Sequence, residues 1–395
     1  MKILHVVGYF TWPYGGPVRI VYDQANSLAS RGHDVTIYTT DVGPVHRLDD
    51  RNKIKSDRGV DIRYFRCLNN WTANTFRFIF SPEMQSAFAA EIENFDIIHT
   101  HETRGFHDLC VWHYARKHSI PYVLEAHGTV PTALPDQKKM YVFAKYLSDR
   151  IIYHSIIKNA SKVIALSQSE SQLYEKVGVK NESIEVIPNA IDRAYFEKLP
   201  ARGEFRQRYC IDREEQIVLF LGRIHETKGL ALLLQAFRDL KKEVRHVRLI
   251  IVGPDGGYLA RLKTIIKSLG LTDYVLLTGP LYDDAKLEAY VDADVFAYPS
   301  SYEVFGLSPL EACACGTPTI VTNRCGVAEW IKNVACVIDY DAEQLQSAMR
   351  YILQSAHRRG EMGRKSLKMV VEQYNMDRVA DDLEKTYRAC LKELT

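Results

Sequence analysis

Two carboxylates, two cations and three glycine-bearing loops carry the chemistry this sequence offers. The densest signal is Ser301-Tyr-Glu-Val-Phe-Gly-Leu-Ser-Pro-Leu-Glu-Ala-Cys-Ala-Cys-Gly-Thr-Pro318. Glu303 precedes the loop glycine Gly306, and Glu311 falls within the apolar stretch behind it. Gly306 gives the turn backbone freedom that a bulkier residue lacks. Ser308 reads as a helix N-cap with Pro309 at the first helical position. The N–H groups of Phe305, Gly306, Leu307 and Ser308 would then converge at a helix N-terminus, where unpaired donors and the helix dipole favour an anion such as phosphate. Ser308-x-x-Glu311 also fits a capping box, in which the carboxylate bonds back to its own helix end. Glu303 by itself also fits a surface loop.

The second signal is Leu219-Phe-Leu-Gly-Arg-Ile-His-Glu-Thr-Lys-Gly229. A buried strand runs into Gly222, then Arg223 and Lys228, then Gly229 at a helix start. Two cations on such a loop can clamp a diphosphate, arginine as a planar fork and lysine as a point charge. The P-loop pattern Gly-x-x-x-x-Gly-Lys-Ser/Thr is absent. The third signal is Tyr14-Gly15-Gly16-Pro17 after the first strand. It lacks the Gly-x-Gly-x-x-Gly dinucleotide pattern and fits an ordinary turn as well as a backbone approach to a ligand. A last candidate is His127 in Glu125-Ala-His-Gly128. It stands at a strand end, and it also fits a structural histidine.

These residues need a scaffold that brings strand ends together. Short apolar runs alternate with amphipathic stretches along the chain. Strands are expected at 1–7, 34–39, 61–65, 97–100, 122–125, 162–166 and 185–187. After a break at Asn189-Ala-Ile-Asp192 the alternation restarts, with strands at 216–221, 248–252, 275–278, 295–298 and 319–322. β-α-β alternation implies parallel sheets covered by helices on both faces. The expected architecture is α/β, two Rossmann-like doubly wound halves facing a deep interdomain cleft, with ligands at the strands' carboxyl ends. The expected domains are 1–190 and 191–375. The amphipathic stretch at 376–395 either packs back on the first domain or ends the second.

Composition narrows the function classes. With 395 residues, 46% hydrophobic and 25% charged, the chain has the mix of a globular enzyme of two domains. Its 51 basic and 49 acidic residues give a formal net charge of +2. That balance argues against a dedicated nucleic-acid binder. No apolar run is long enough to span a membrane. The N-terminal run reads as a buried strand rather than a signal peptide. The eight cysteines show no Cys-x-x-Cys metal spacing and read as free thiols in a reducing cytoplasm. Basic residues cluster over 47–66 and at Lys138, Lys139 and Lys145, the latter beside Tyr141, Val142, Phe143 and Tyr146. Such a surface could meet an anionic membrane or a lipid-linked substrate, or be a solvated helix.

Taken in order, the three loops resemble the retaining glycosyltransferases of glycosyltransferase family 4, with the GT-B fold. Glu303 and Glu311 match that family's Glu-x7-Glu pair. Gly222-Arg223 through Lys228-Gly229 matches its donor-diphosphate loop, and Gly15-Gly16 its N-terminal glycine loop. Ile187-Pro-Asn-Ala-Ile-Asp192 and Ile250-Ile-Val-Gly253 resemble further family segments. The resemblance implies a metal-independent transfer in which Arg223 and Lys228 hold the donor pyrophosphate and stabilise the leaving nucleoside diphosphate. It implies that Glu311 bonds the ribose and that Glu303 lies near the donor sugar. Gly16, Gly222, Phe305, Gly306 and Leu307 would add backbone contacts. His127 would face the donor sugar by carbonyl or ring. Tyr14, Gly15 and Gly16 would meet the acceptor. The implied mechanism is front-face, with no protein nucleophile and no cofactor, the nucleotide sugar being a substrate. Two departures stand out. Ala190 replaces a frequent glycine, and Val252-Gly-Pro-Asp-Gly-Gly257 is longer than usual.

The expected function is transfer of a hexose from a UDP- or GDP-sugar to a glycan, a lipid-linked saccharide or a small molecule, in cell-surface polysaccharide biosynthesis. The expected location is the cytoplasm, with the inner membrane face as an alternative. Trp12, Tyr14, Trp71, Phe76, Phe78 and Phe80 are candidates to stack on sugar or meet lipid, or to be core. The rival readings are a nucleotide-sugar epimerase or phosphorylase of the same fold, and a binding subunit without activity. An oxidoreductase lacks its glycine fingerprint.

Overall fold

The structure is a computed structural model that describes residues 1–49, 53–55, 58–76, 79–130 and 153–393. The basic and aromatic group Lys138, Lys139, Tyr141, Val142, Phe143, Lys145 and Tyr146 lies outside the described residues, as do Phe78 and the side chain of Phe76. The chain divides into two compact units, Met1–Asn189 with Met376–Thr395, and Ala190–Asn375.

The first unit runs β1 (Lys2–Val6), α1 (Gly16–Ser30), β2 (Asp34–Thr40), β3 (Asp61–Phe65), β4 (Ile97–His101), α2 (Phe106–His118), β5 (Tyr122–Glu125), β6 (Lys162–Ala165), α3 (Gln168–Lys176) and β7 (Ile184–Val186), with further helices between. Its seven-stranded sheet has the order β3-β2-β1-β4-β5-β6-β7. Every pairing is parallel. The central strands β1, β4 and β5 are buried almost throughout, as helices on both faces require. Yet His5, His99, Thr100, His101 and Glu125 stand among them, each 0% exposed.

The second unit runs β8 (Gln216–Leu221), α4 (Leu230–Glu243), β9 (Val247–Val252), α5 (Leu259–Ser268), β10 (Val275–Gly279), α6 (Asp283–Asp292), β11 (Val295–Tyr298), α7 (Leu307–Ala314), β12 (Thr319–Thr322) and β13 (Cys336–Ile338). The order is β10-β9-β8-β11-β12-β13, again parallel. Strand β13 has no counterpart among the expected strands, because its three residues are too short to show a period. In α4 the buried residues Leu230, Leu233, Leu234, Phe237 and Leu240 recur at helical spacing and form one core-facing stripe.

The last helix, α8 (Met376–Lys392), belongs to the first unit. It buries Met376, Val379, Ala380, Leu383, Tyr387 and Cys390 along one face. Arg31 at the end of α1 meets Asp381 at 2.6 Å, and Ser27 Oγ donates to the Met376 carbonyl at 3.4 Å. No helix among the described residues is long and apolar enough to cross a membrane.

Candidate active site

In the second unit the two motif loops leave adjacent strands, β8 and β11, at their carboxyl ends. They are tied together by one carbonyl. Thr227 O accepts from Ser301 N at 2.8 Å, Ser300 Oγ at 2.8 Å and Ser301 Oγ at 3.0 Å. Gly229 is required by this closeness. A Cβ there would lie 1.8 Å from the Pro299 carbonyl oxygen, and its φ is +69°. Residues 303–305 are braced from the other side, since Glu303 N donates to Arg324 O, Gly326 N to Glu303 O and Val327 N to Phe305 O.

On this frame Lys228, Glu303 and Glu311 are paired within the protein. Lys228 Nζ donates to the Glu303 carboxylate and, at 3.0 Å, to the Tyr298 hydroxyl. Tyr298 OH donates to Glu303 Oε2 at 2.9 Å. Burial, then the Glu303 charge, raises the Tyr298 hydroxyl well above its ordinary pKa, so it stays a donor. Glu311 is held the same way. Lys286 Nζ reaches Oε1 at 2.7 Å and Tyr290 OH reaches Oε2 at 2.9 Å. Burial and then the Glu311 charge raise Tyr290 likewise. Arg223 is exposed, and among the described residues it has no hydrogen-bond or ion-pair partner. Burial, then the Arg223 and Lys228 cations, lower His225 below its ordinary value. Loop 252–257 turns against Gly222-Arg223. Ile224 N donates to Pro254 O, and Asp255 Oδ1 caps α5 by accepting from Gly257, Tyr258 and Leu259 N–H.

The helix start differs from the expectation. The N-cap is Gly306, at φ +97°, so α7 begins at Leu307, with Ser308 second and Pro309 third. Glycine takes this backbone at no steric cost, which moves the cap two residues earlier than serine chemistry suggests. Glu311 bonds to Lys286 and Tyr290, which belong to α6. Among the described residues the N–H groups of Phe305, Gly306, Leu307 and Ser308 have no acceptor. They are unpaired donors at a helix N-terminus close to Glu303 in sequence.

In the first unit, Gly15 caps α1 at φ +87° and Gly16 opens that helix. Tyr14 stacks against Tyr9, ring centres 4.1 Å apart, and donates to Asn74 Oδ1 at 2.8 Å. Trp12 and Trp71 are exposed, while Phe80 packs against Phe106. The His127 side chain is only 3% exposed. Its Nε2 lies 3.0 Å from His101 Nδ1, and its Nδ1 3.4 Å from Glu125 Oε1. Burial lowers His127 to about 4, and burial raises Glu125 to about 7. Ligand atoms of His5, His99 and His101, and those of His101, Glu125 and His127, lie within 4.8 Å of one another. These are the groupings among the described residues close enough to meet a cation.

Sequence reasoning therefore missed Tyr298, Tyr290 and Lys286, which hold the two glutamates, and the buried partners of His127. Nothing in the spacing pointed to the tyrosines. The alternation His99-Thr-His101 at a strand's end was a visible signal.

Two family descriptions match the chain. Glycosyltransferase Family 4 covers residues 14–195, and Glycosyl transferases group 1 covers residues 201–369. An uncharacterized glycosyltransferase of Methanocaldococcus jannaschii is 26% identical over 99% of both chains. The mannosylfructose-phosphate synthase of Agrobacterium fabrum is 29% identical over 79% of this chain and 72% of its own length. The crystal structure of Anabaena HepE in complex with UDP and glucose superposes with a TM-score of 0.77, at 18% identity, over 98% of this chain and 100% of that one. The fold and the loops define a GT-B protein, two Rossmann-like α/β domains. The chain belongs to the glycosyltransferases of family 4.

Proposed function

We propose that this glycosyltransferase moves a hexose from a UDP- or GDP-sugar to a glycan or lipid-linked saccharide of the cell surface, with retention and without a metal ion. The observation that carries the reading is the set at the carboxyl ends of β8 and β11. There Glu303 and the unpaired Arg223 lie on two tied loops, and the four free N–H groups and Glu311 belong to the start and body of α7. Arg223 and Lys228 hold the diphosphate. As the leaving group gains charge, Lys228 exchanges part of its bond with Glu303 for the phosphate oxygen, and the α7 N–H groups add preorganised donors. Glu311, fixed by Lys286 and Tyr290, accepts from the ribose hydroxyls. Glu303, Phe305, Gly306 and Leu307 meet the sugar and phosphate, with Gly16 and Gly222 admitting close approach. His127 takes part from the first unit, and Tyr14, Gly15 and Gly16 meet the acceptor. The HepE complex with UDP, on the same fold, supports a uridine donor.

The test supplies UDP- and GDP-hexoses singly, with membrane lipid extract and free saccharides as acceptors, and follows nucleoside diphosphate release. One donor is expected to turn over equally with and without EDTA, giving a product of the donor's anomeric configuration. Release from no donor, or an inverted product, contradicts the reading. An acceptor at a membrane is favoured by exposed Val45, Leu68 and Trp71, which share a surface with Arg47. Co-sedimentation with anionic but not neutral vesicles, lost in Trp71→Ala with Leu68→Ala, is the expected result.

A further inference from the structure

The first unit carries an open carboxylate outside the charged set of the second. In its sheet the chain runs outward from β1 through β2 to β3 on one side, and from β4 to β7 on the other. The strand order therefore reverses between β1 and β4. Open α/β sheets take ligands in the crevice outside the strand ends at such a switch point. In the second unit the switch point lies between β8 and β11, where Arg223 and Glu303 stand. In the first unit Tyr9 follows β1 and Glu102 directly follows β4. Tyr9 OH donates to Glu102 Oε1 at 2.6 Å.

Glu102 differs from the other carboxylates at this end of the sheet. Asp108, Glu125 and Glu170 are 1% exposed or less. Glu102 is half-buried, and its Oε2 reaches solvent with no hydrogen-bond or ion-pair partner among the described residues. Burial raises its pKa above the ordinary value, and the Tyr9 hydrogen bond opposes this. The groups beside it are held in turn. The Tyr9 ring lies against Tyr14, which donates to Asn74 Oδ1, and Asn74 Nδ2 donates to the Gly43 and Asn70 carbonyls. Two fixed tyrosine rings and an open acceptor oxygen suit a saccharide, whose ring stacks while a hydroxyl donates. A phosphorylated sugar would set like charges together.

The backbone holds Glu102 in a costly conformation. Its φ is +73°, and Arg104, two residues on, is at +77°. Left-handed backbone at such residues persists only where the surroundings over-determine it, and it clusters at ligand sites. Here Glu102 N donates to Glu125 O at 2.8 Å, Thr103 Oγ1 to Thr129 O at 2.6 Å, and Gly105 N to Asp108 Oδ2 at 2.8 Å. Tyr153 OH donates to Arg104 O at 3.1 Å, and Thr100 Oγ1 holds Asp108 at 2.9 Å. Glycine would take this backbone without strain, and the chain places a glutamate there instead.

We propose that Glu102 is an acceptor-binding residue: its Oε2 takes the hydrogen bond of a hydroxyl on a neutral saccharide seated against Tyr9 and Tyr14 at the switch point between β1 and β4. The inference deepens the glycosyl-transfer reading, by naming a residue for the acceptor and the acceptor's charge class, and rests on it.

Saturation-transfer NMR tests it without turnover. The probes are the methyl α- and β-glycosides of glucose, galactose and mannose, and glucose-6-phosphate. At least one neutral glycoside is expected to take saturation from wild type and from Arg223→Ala, and roughly ten-fold less from Glu102→Gln. Steady-state kinetics then follows nucleoside diphosphate release, with membrane lipid extract or the bound glycoside as acceptor. Glu102→Gln is expected to lose roughly ten- to a hundred-fold in acceptor kcat/KM, with donor KM and release without acceptor unchanged. Glu102→Gly, relieved of left-handed strain, is expected to melt no lower than wild type while losing as much transfer. Saturation of glucose-6-phosphate alone, of no glycoside, or of glycosides equally from Glu102→Gln would each overturn the proposal, as would a Glu102→Gly variant that melts well below wild type. If glycosides bind as expected but wild type turns over no nucleotide sugar, the glycosyl-transfer reading fails and the saccharide site stands.

Discussion

In the first unit the strands at the middle of the sheet, β1 and β4, bury His5, His99, Thr100 and His101. In the second unit β8 and β11 occupy the same places in the same strand order and are buried and apolar, apart from half-buried Gln216 at the start of β8 and the Tyr298 hydroxyl. There the polar chemistry has moved outward, to Arg223, Lys228, Glu303 and Glu311 at the strand ends. The two solutions differ in what a ligand can do with them. Burial in the sheet keeps the histidines neutral and closed to substrate. Half-buried ion pairs such as Lys228 with Glu303 are held in place but can exchange a partner for a phosphate or sugar oxygen. One sheet stores its polarity as rigidity, the other presents it as binding capacity.

The comparison breaks most visibly at Lys228. Lys228→Ala is expected to lower kcat/KM for the nucleotide sugar by about 10²–10³-fold, the scale of one preorganised donor at a developing charge, with little change in melting temperature. Steady-state kinetics and calorimetry together check it.

Glu125 tests the other side through pH. Its pKa is raised to about 7 in the fold from an ordinary value near 4.5. The stability linked to its protonated form is complete below that ordinary value and is lost as pH rises through about 7, on the order of 3 kcal/mol. Glu125→Gln removes this dependence. Relative to wild type, the variant's stability is therefore expected to improve between pH 4.5 and 8, in denaturant titrations at each pH. A constant difference would place the carboxylate in a solvated setting.

Tyr387→Phe leaves His99 Nδ1 buried without its partner. A loss of about 1–3 kcal/mol is expected, with nucleotide affinity unchanged. The smallest effect belongs to Lys286→Met, which frees one oxygen of Glu311. Nucleoside diphosphate affinity should fall by roughly ten-fold, about 1.4 kcal/mol, with unfolding midpoint nearly constant. Isothermal titration separates the two, since Tyr387 should move stability alone and Lys286 binding alone.

Much of this was legible in the chain. Period and length marked most strands, because parallel strands buried on both faces read as short apolar runs. The loop residues Arg223, Lys228, Glu303 and Glu311 were legible because glycines and strand ends mark where a ligand can be approached. The cap of α7 was misplaced by two residues, since Ser308-Pro309 carries cap chemistry while Gly306 takes the cap by backbone conformation alone. Tyr290, Tyr298 and Lys286 could not be read, because they reach their glutamates through tertiary packing that leaves no spacing. The alternation of His99 and His101 is visible in the chain, but nothing in the spacing brings them beside His5 and Glu125, which strand pairing does.

The central claim is that the charged groups of the second unit, the unpaired Arg223 among them, form a nucleoside diphosphate site. The direct measurement is thermal stability with UDP, GDP, ADP and CDP added separately, for wild type and Arg223→Ala. A ligand that binds only the native state raises the midpoint by mass action, about 2.7 kcal/mol at a hundred times its dissociation constant. The account predicts that one nucleotide stabilises the wild type and that the shift largely vanishes in Arg223→Ala. Equal shifts in both proteins, or none with any nucleotide at millimolar concentration, would contradict it.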